Sequence, residues 1–256
     1  MARLPTLVSG GVLELSWDDA DGHHFEQGDL DLRHRAPNEL SLRLSKVGET
    51  QFMGGCNADA WWWFEGWSKP TRFWTRPRAA SRNPDDANRP PITMDEMLAL
   101  LGLRELGRTG AEARRDPETP PWIVRFAVEL SAEQSVLGLP TRVFFDRGQL
   151  RGESIWLPMR IEVLDADGVV LIASQLDEYR RIERRERAPG DWPAIATRVR
   201  VTVPARGERG AFAWLVVLDR PSASGERIVE KLFDPTAVRD SLRPQLIDDG
   251  SAPEPP

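Results

Sequence analysis

Few side chains in this 256-residue chain carry out covalent or metal chemistry: there is one cysteine and there are three histidines. Cys56 has no nearby histidine and no apparent helix N-terminus to lower its thiol pKa, so we interpret it as structural. His23 and His24 follow a turn and His34 lies between two arginines, so we expect all three to be exposed. A zinc site would need further carboxylate ligands, and no tight spacing supplies them. The sequence therefore predicts no metal site.

The motif DADG occurs twice, at 19–22 and at 165–168, and raises the question of a calcium site. An EF-hand loop needs carboxylates at its first and last positions, with glycine at the sixth. Counted in this way, the first copy places Trp17 and Gly28 at those positions, and the second copy also lacks both carboxylates. We therefore interpret both motifs as hairpin turns.

Motifs of nucleophilic or phosphate chemistry are missing: the sequence has no glycine-rich phosphate loop, no G-x-S-x-G and no H-E-x-x-H. We therefore predict no catalytic residues, no cofactor and a non-enzymatic protein. Carboxylates are plentiful, and a pair that faced each other across a groove could support glycoside hydrolysis. A carbohydrate-binding or carbohydrate-cleaving β protein is therefore the first alternative.

Composition excludes several classes of protein. With 40% hydrophobic and 29% charged residues, the chain is typical of globular rather than disordered proteins. A net charge of −6 and a pI near 5.3 argue against binding to a nucleic-acid backbone. No apolar stretch reaches the roughly 18 residues of a membrane-spanning helix. The start MARLPTLVSGG lacks the parts of a signal peptide, which fits a cytoplasmic protein or the mature part of an exported one.

The run WWWF at 61–64 places four large aromatic side chains next to one another. In a strand, Trp61 and Trp63 point to one face and Trp62 and Phe64 to the other, so both faces must be covered. We expect one pair on the concave side of a sheet and the other pair beneath a helix or a loop. Three interpretations stay open: ordinary core, the wall of an apolar cavity, or a surface for a sugar ring.

Apolar residues two positions apart predict strands through most of the chain, and two short segments have helix signals. Thr93 and Glu96 form a capping box that starts the first helix, and Gly102 is placed to end it. This helix is amphipathic and rich in methionine, so it is either a lid over an apolar groove or part of an ordinary core. Asp234 and Pro235 start the second helix. Residues 68–91 are rich in Pro, Arg and Asn, which predicts a loop.

These elements predict a mainly β (α+β) fold of about ten antiparallel strands in hairpin succession with two short helices. We predict a single domain over 1–248 with a polar insertion at about 76–121, and a disordered tail at 249–256. The run RRIERRER at 180–187 is basic in an acidic protein. It is either a solvated hairpin end or a contact for anionic lipid headgroups or an acidic partner.

The order of these elements resembles that of the LolA/LolB lipoprotein carriers and their bacterial envelope relatives. The resemblance rests on the strand Pro37–Leu44, on Lys46 with Gly48, and on Gly55–Phe64. It extends over about residues 10–66 and 155–235, and it implies a strongly curved antiparallel sheet. Such a sheet is a half-open barrel with a few covering helices, and in this family it encloses a hydrophobic cavity for acyl chains.

The function that the resemblance implies is non-enzymatic binding of a lipid or of lipoprotein acyl chains, by a periplasmic or outer-membrane-associated protein. Its further partner would be a membrane surface or an envelope protein, and we expect no nucleic-acid partner. We also expect the protein to be a monomer. A structural envelope protein whose own side chains fill the core is the second alternative. The residues that we predict to line the cavity are Leu13, Leu15, Leu40, Leu42, Trp61, Trp63, Met97, Leu98, Phe126 and Trp214.

Overall fold

The structure, a computed structural model, describes residues 4–78, 90–107, 113–116, 119–120, 124–150, 152–207, 209–225 and 228–249. The strands of this part are β1 Thr6–Asp19, β2 Gly22–Arg35, β3 Glu39–Lys46, β4 Glu49–Cys56, β5 Ala60–Glu65, β6 Arg72–Pro77, β7 Ala113–Arg115, β8 Phe126–Leu130, β9 Thr141–Leu150, β10 Glu153–Leu164, β11 Val170–Arg181, β12 Ala194–Val203, β13 Phe212–Ser222 and β14 Leu246–Asp248. The α-helices are α1 Met94–Leu100 and α2 Pro235–Leu242, and two 3-10 helices are Pro189–Asp191 and Glu230–Phe233.

All of these strands belong to one curved sheet that does not close. Its order is β14-β6-β5-β4-β3-β2-β1-β13-β12-β11-β10-β9-β8-β7, so the first strand lies near the middle. Neighbours pair antiparallel except at one edge, where β14 runs parallel to β6. The predicted mainly β, half-open barrel with a few helices is confirmed.

The inner face of the sheet carries the main core. Because side chains alternate between the faces of a strand, Leu13 and Leu15 of β1 point inward with Trp214 of β13, to which Leu15 is paired. The same buried cluster contains side chains of β2 to β5, of β9 to β13 and of α1. Since it joins strands from both halves of the sheet, this cluster fills the concave side.

The WWWF run contributes to both faces, as its alternation predicts. Trp61 and Trp63 belong to the inner core. Trp62 and Phe64 belong to a second buried cluster on the outer face, which Val238 of α2 covers together with Phe233 of the neighbouring 3-10 helix. The expected cover by a helix or a loop is therefore confirmed and is helical. Asp234 caps α2 as predicted, its carboxylate accepting from the Thr236 N–H at 2.9 Å.

Helix α1 lies inside the half barrel, where it contacts β3, β4 and β5. The predicted capping box between Thr93 and Glu96 is confirmed, and Gly102 has a φ of +71°, as a left-handed helix end requires. On the far side, the Ser174 hydroxyl of β11 donates to the Leu100 carbonyl at 2.7 Å. The helix is therefore held between both halves of the sheet, and it is buried on more sides than the predicted amphipathic helix would be.

Two expectations are wrong. Residues 72–77 of the predicted loop form β6, where Trp74 pairs with Trp63; Pro77 ends the strand and costs it no interior hydrogen bond. His34 is fully buried, because it continues the inward-facing positions of β2 and pairs with Leu7 and Leu40. His23 is exposed as expected, and His24 is half-buried.

Several predicted segments lie partly outside the described residues: 79–89 of the loop, 108–112, 117–118 and 121 of the insertion, and the tail beyond residue 249. The domain limits and the insertion at 76–121 stay predictions. Among the described helices, none has the length and apolar character needed to cross a membrane.

Candidate functional site

A cavity of about 760 Å³ opens at one end of the half barrel, where the β1–β2, β5–β6 and β12–β13 connections meet. Its position follows from the pairing of Trp17 with Phe212, which brings the end of β1 next to the start of β13. The aromatic side chains of its wall are Trp17, Phe25, Trp67, Trp74 and Phe212, and its charged side chains are Asp18, Asp19, Asp21, Glu26, Glu65, Arg72 and Arg209.

The wall continues into the core through a chain of ring contacts. Trp17 and Trp67 stack with centroids 5.2 Å apart, and Trp67 stacks on Phe52 at 6.0 Å. Phe52 meets Trp63 at 4.8 Å and Trp214 at 5.2 Å, both edge to face. Phe212 closes the group, 6.0 Å from Trp214. We call these six residues the aromatic cluster; three of them line the cavity and three lie behind it.

Glu65 is the most enclosed carboxylate of the wall. The indole N–H of Trp63 donates to its Oε1 at 3.0 Å. Burial raises the pKa of Glu65 above its ordinary value, although this hydrogen bond and the nearby Arg72 act in the opposite direction. The core and the cavity wall are therefore joined by a polar contact as well as by ring packing.

The β1–β2 turn adds a polar rim. His24 stacks on Trp17 with ring centroids 5.1 Å apart, and its Nε2 lies 2.8 Å from the Asp19 carboxylate. This hydrogen bond is the main reason that the pKa of Asp19 lies below its ordinary value. His23 lies at the same distance from Asp18. The rim of the cavity therefore combines flat aromatic faces with carboxylates.

Nine of the ten predicted cavity residues lie together in the inner core, and none of the ten is on the cavity wall. Trp63 and Trp214 come nearest, since both contact Phe212 of the wall. Phe126 is separate: it is half-buried on β8 and meets Trp156 edge to face at 4.8 Å. A role for the ten in ligand contact stays a prediction. The nine others are Leu13, Leu15, Leu40, Leu42, Trp61, Trp63, Met97, Leu98 and Trp214.

Trp17 and Phe212 could have been found from the sequence, because each continues an inward-facing alternation, with Leu15 and Trp214 respectively. Trp67 could not, since it lies in the connection between β5 and β6, where no periodicity applies. Alternation identifies the face of a side chain, whereas membership of the wall depends on how near the strand end it lies.

Helix α1 is fastened by an ionic latch, which we define as Arg78, Asp95 and Arg104. Asp95 of α1 pairs with Arg104 at 2.8 Å and with Arg78 at the end of β6. Arg78 also donates to the Asn57 carbonyl at 3.1 Å. All three latch side chains are largely buried, so moving α1 away from the sheet would separate the buried charges of Asp95 and Arg78.

Two observations concern the metal-ligating and nucleophilic side chains of the described ranges. No group of three or more His, Cys, Asp or Glu side chains there is placed to hold a metal ion. Burial raises the pKa of the Cys56 thiol to about 12, and its Sγ donates to the Asn38 carbonyl at 3.3 Å. At neutral pH this sulfur is a protonated core group rather than a nucleophile.

Comparison with known proteins identifies the fold. No protein-family model and no curated protein matches the sequence. A domain from Vibrio parahaemolyticus that is named for outer membrane lipoprotein sorting has 13% identity and a TM-score of 0.53, over 92% of both chains. A LolA superfamily protein from Nitrosomonas europaea has 9% identity and a TM-score of 0.50, over 91% of this chain and 92% of its own. The resemblance seen in the sequence is thus confirmed at the level of structure, and the chain has a LolA-like fold.

Proposed function

We propose that this chain binds a lipid, or the acyl chains of a lipoprotein, in the cavity at the open end of its half barrel. The observation that carries the proposal is the aromatic wall of that cavity, which continues as ring contacts into the core. One of the two similar structures is named for outer membrane lipoprotein sorting, which supports the same class of ligand. We further propose a non-enzymatic, monomeric protein of the periplasm or the outer membrane.

The driving force would be burial of acyl methylenes, each of which contributes roughly 0.8 kcal/mol when it leaves water. The cavity of about 760 Å³ lies within the usual size range of small-molecule pockets. Its charged rim would face the headgroup, while Trp67 and Phe212 would contact the first methylenes of the chain.

Entry of an acyl chain beyond the cavity, into the concave side of the sheet, would require α1 to move, because Met97 and Leu98 fill that side. Methionine side chains adapt to irregular space, which suits a helix that is displaced and returns. In this proposal the predicted residues Leu13, Leu15, Leu40 and Leu42 contact acyl chains only after α1 has moved. The ionic latch is the interaction that must break first.

Native mass spectrometry of the purified protein, followed by lipid analysis of anything that dissociates, tests the proposal directly. The matched variants are Trp67→Ala on the cavity wall and Phe144→Ala on β9, away from that wall, both of half-buried aromatic residues. Loss of one large aromatic contact should weaken binding of a fluorescent fatty-acid probe by roughly 10-fold or more for Trp67→Ala, at about 1.4 kcal/mol per tenfold. A purified protein that carries no lipid and does not bind the fluorescent probe would rule the proposal out.

Carbohydrate binding is a second candidate, because carboxylates lie beside the exposed Phe25 ring on the cavity wall. A sugar would place a ring face on Phe25 and its hydroxyls on Asp18 or Asp21. Titration with soluble oligosaccharides, followed by calorimetry, separates the two ligands: sugar binding that survives saturation with fatty acid would favour this candidate.

A structural role is the third candidate, and it is supported by the complete burial of Trp62 and Trp63. Both side chains are packed as core, so this part of the sheet needs no ligand to exclude water. An empty cavity in native mass spectrometry, together with no binding of fatty acid or oligosaccharide, would favour it.

A further inference from the structure

A second recess, of about 600 Å³, lies at the opposite end of the sheet from the cavity, between the β9–β10 and β11–β12 connections. Two tryptophans line it: Trp192 is half-buried, and Trp156 is 41% exposed. Trp156 rests edge to face on Phe126 of β8, so its ring is held outward by packing. Among the tryptophans of the described ranges, Trp156 is the only one that is exposed.

The β11–β12 connection is a built element rather than a loose loop. The Arg181 side chain donates to the Gly190 carbonyl at 2.6 Å and to the Trp192 carbonyl at 3.0 Å, and pairs with Glu153. The Trp192 indole N–H in turn donates to the Arg184 carbonyl at 3.1 Å. The polar atom of this indole is thus satisfied within the connection, which leaves its apolar ring edge for the recess.

The same connection concentrates positive charge in a protein of net charge −6. The run 180–187 contains five arginines and two glutamates. Arg181 and Arg184 pair with Glu153 and Glu186. Arg185 and Arg187 are exposed, and Arg187 lines the recess beside both tryptophans. Arg187 therefore borders the exposed aromatic surface directly, although the lining of the recess also contains Glu186 and Asp191. Glu183 and Asp191 are exposed as well, so the excess is local and modest.

We propose that Trp156, Trp192, Arg185 and Arg187 form a docking face for a bilayer that contains anionic phospholipids. Tryptophan rings settle at the level of lipid headgroups, and arginines nearby are attracted to the phosphates of an anionic leaflet. Because the rest of the chain is acidic, an anionic surface would repel it and so select this end for contact. The docking face concerns the end opposite the cavity and does not depend on what the cavity binds.

A lipid surface fits this face better than a protein partner. Stable protein interfaces bury about 1,000 Å² or more around a central anchor, whereas the face offers two tryptophans and a few arginines. Shallow insertion of two indoles with snorkelling arginines needs no complementary pocket on the other side.

The test is flotation of the full chain with two kinds of vesicle, phosphatidylcholine alone and phosphatidylcholine mixed with phosphatidylglycerol. We expect binding to the anionic vesicles at low salt and its loss at high salt, because salt screens exposed charges. The Arg185→Gln/Arg187→Gln variant should bind about 30-fold more weakly. The control, Arg200→Gln/Lys231→Gln, removes the same charge from exposed positions outside the connection and should bind as the parent does.

Trp156→Ser provides an independent readout, since it should reduce binding to the anionic vesicles without changing the salt dependence. Each variant is accepted only if its far-UV circular dichroism and melting temperature match the parent. Failure of the parent to bind anionic vesicles, or an equal loss in the control variant, would overturn the proposal. Binding to an acidic protein by a chain that ignores both vesicles would overturn it as well.

Discussion

Replacing Trp63 by phenylalanine separates the packing of the aromatic cluster from its one polar contact with the cavity wall. A phenyl ring keeps the contacts to Phe52 and Trp214 in part, but it cannot donate to Glu65, which now accepts from the indole at 3.0 Å. Glu65 would then stay enclosed without its strongest hydrogen bond. The cost of this change must depend on whether the carboxyl group is ionised.

The loss of unfolding free energy that we expect for Trp63→Phe has two parts. Two buried ring carbons are lost, at roughly 0.8 kcal/mol each, and this part does not depend on pH. A hydrogen bond to an ionised carboxylate contributes about 1.5–3 kcal/mol, whereas one to the protonated carboxyl group, which still accepts, contributes about 0.5–1.5 kcal/mol. We therefore expect Trp63→Phe to lower the free energy of unfolding by about 2–3 kcal/mol in acid and by about 3–5 kcal/mol at neutral pH.

The direction of the pH dependence follows from the linkage between proton binding and folding. The folded-state pKa of Glu65 is raised above the ordinary 4.5, so its contribution to stability is fully present below 4.5 and is lost as the pH rises through the folded pKa. Because the Trp63 hydrogen bond lowers that pKa, its removal raises the folded pKa further and increases the loss at neutral pH.

Equilibrium unfolding in urea at about pH 4 and about pH 7.5, followed by circular dichroism, measures both parts. The control is the same substitution in a Glu65→Gln background, where the difference between the two pH values should vanish. An equal destabilisation by Trp63→Phe at both pH values in the parent background would refute the reasoning, because the hydrogen bond would then carry no charge-dependent energy.

Three further predictions concern the buried frame of the site. Gly55→Ala should cost about 3 kcal/mol or more, because the new Cβ would lie 2.6 Å from the Leu40 carbonyl oxygen. Gly10→Ala, whose nearest neighbour would be 3.7 Å away, should be nearly neutral in the same urea titration. Burial holds the pKa of His34 below its ordinary 6.5, so melting temperature should fall as the pH drops below 6.5; a His34→Gln variant that keeps this dependence would contradict the assignment. Cys56 should resist iodoacetamide at about pH 8 in the folded protein and react in urea, as mass spectrometry can show.

The sequence predicts the sheet well where alternation is regular. Leu13, Leu15, Leu40 and Leu42 share the inner face because a period of two leaves no other arrangement. Trp62 needed a cover on the outer face for the same reason, and α2 with its 3-10 helix supplies it. The face that each of these side chains occupies depends only on its position along its own strand.

Features that depend on distant segments could not be predicted. The cavity forms where three connections meet, and Trp67 joins its wall only because the β5–β6 connection turns towards Trp17. Strand β6 was not predicted, because prolines lie on both sides of it and its apolar pair, Phe73 and Trp74, is short. This local composition indicates a loop. The prediction for His34 was wrong because it relied on the charge of the neighbouring arginines. Those arginines point to the other face of β2, as the alternation of side chains along a strand indicates.

The central position of β1 has a consequence for how the protein is made. Pairing of Leu15 with Trp214 joins the two halves of the sheet across about two hundred residues of chain, whereas β1 to β6 and β8 to β13 pair mostly with their neighbours. Local hairpins form early, and contacts of such high sequence separation form late and slowly. Each half would therefore present apolar inner residues until translation has passed β13. A chaperone that shields the first half during that interval should raise the folded yield more than it changes final stability.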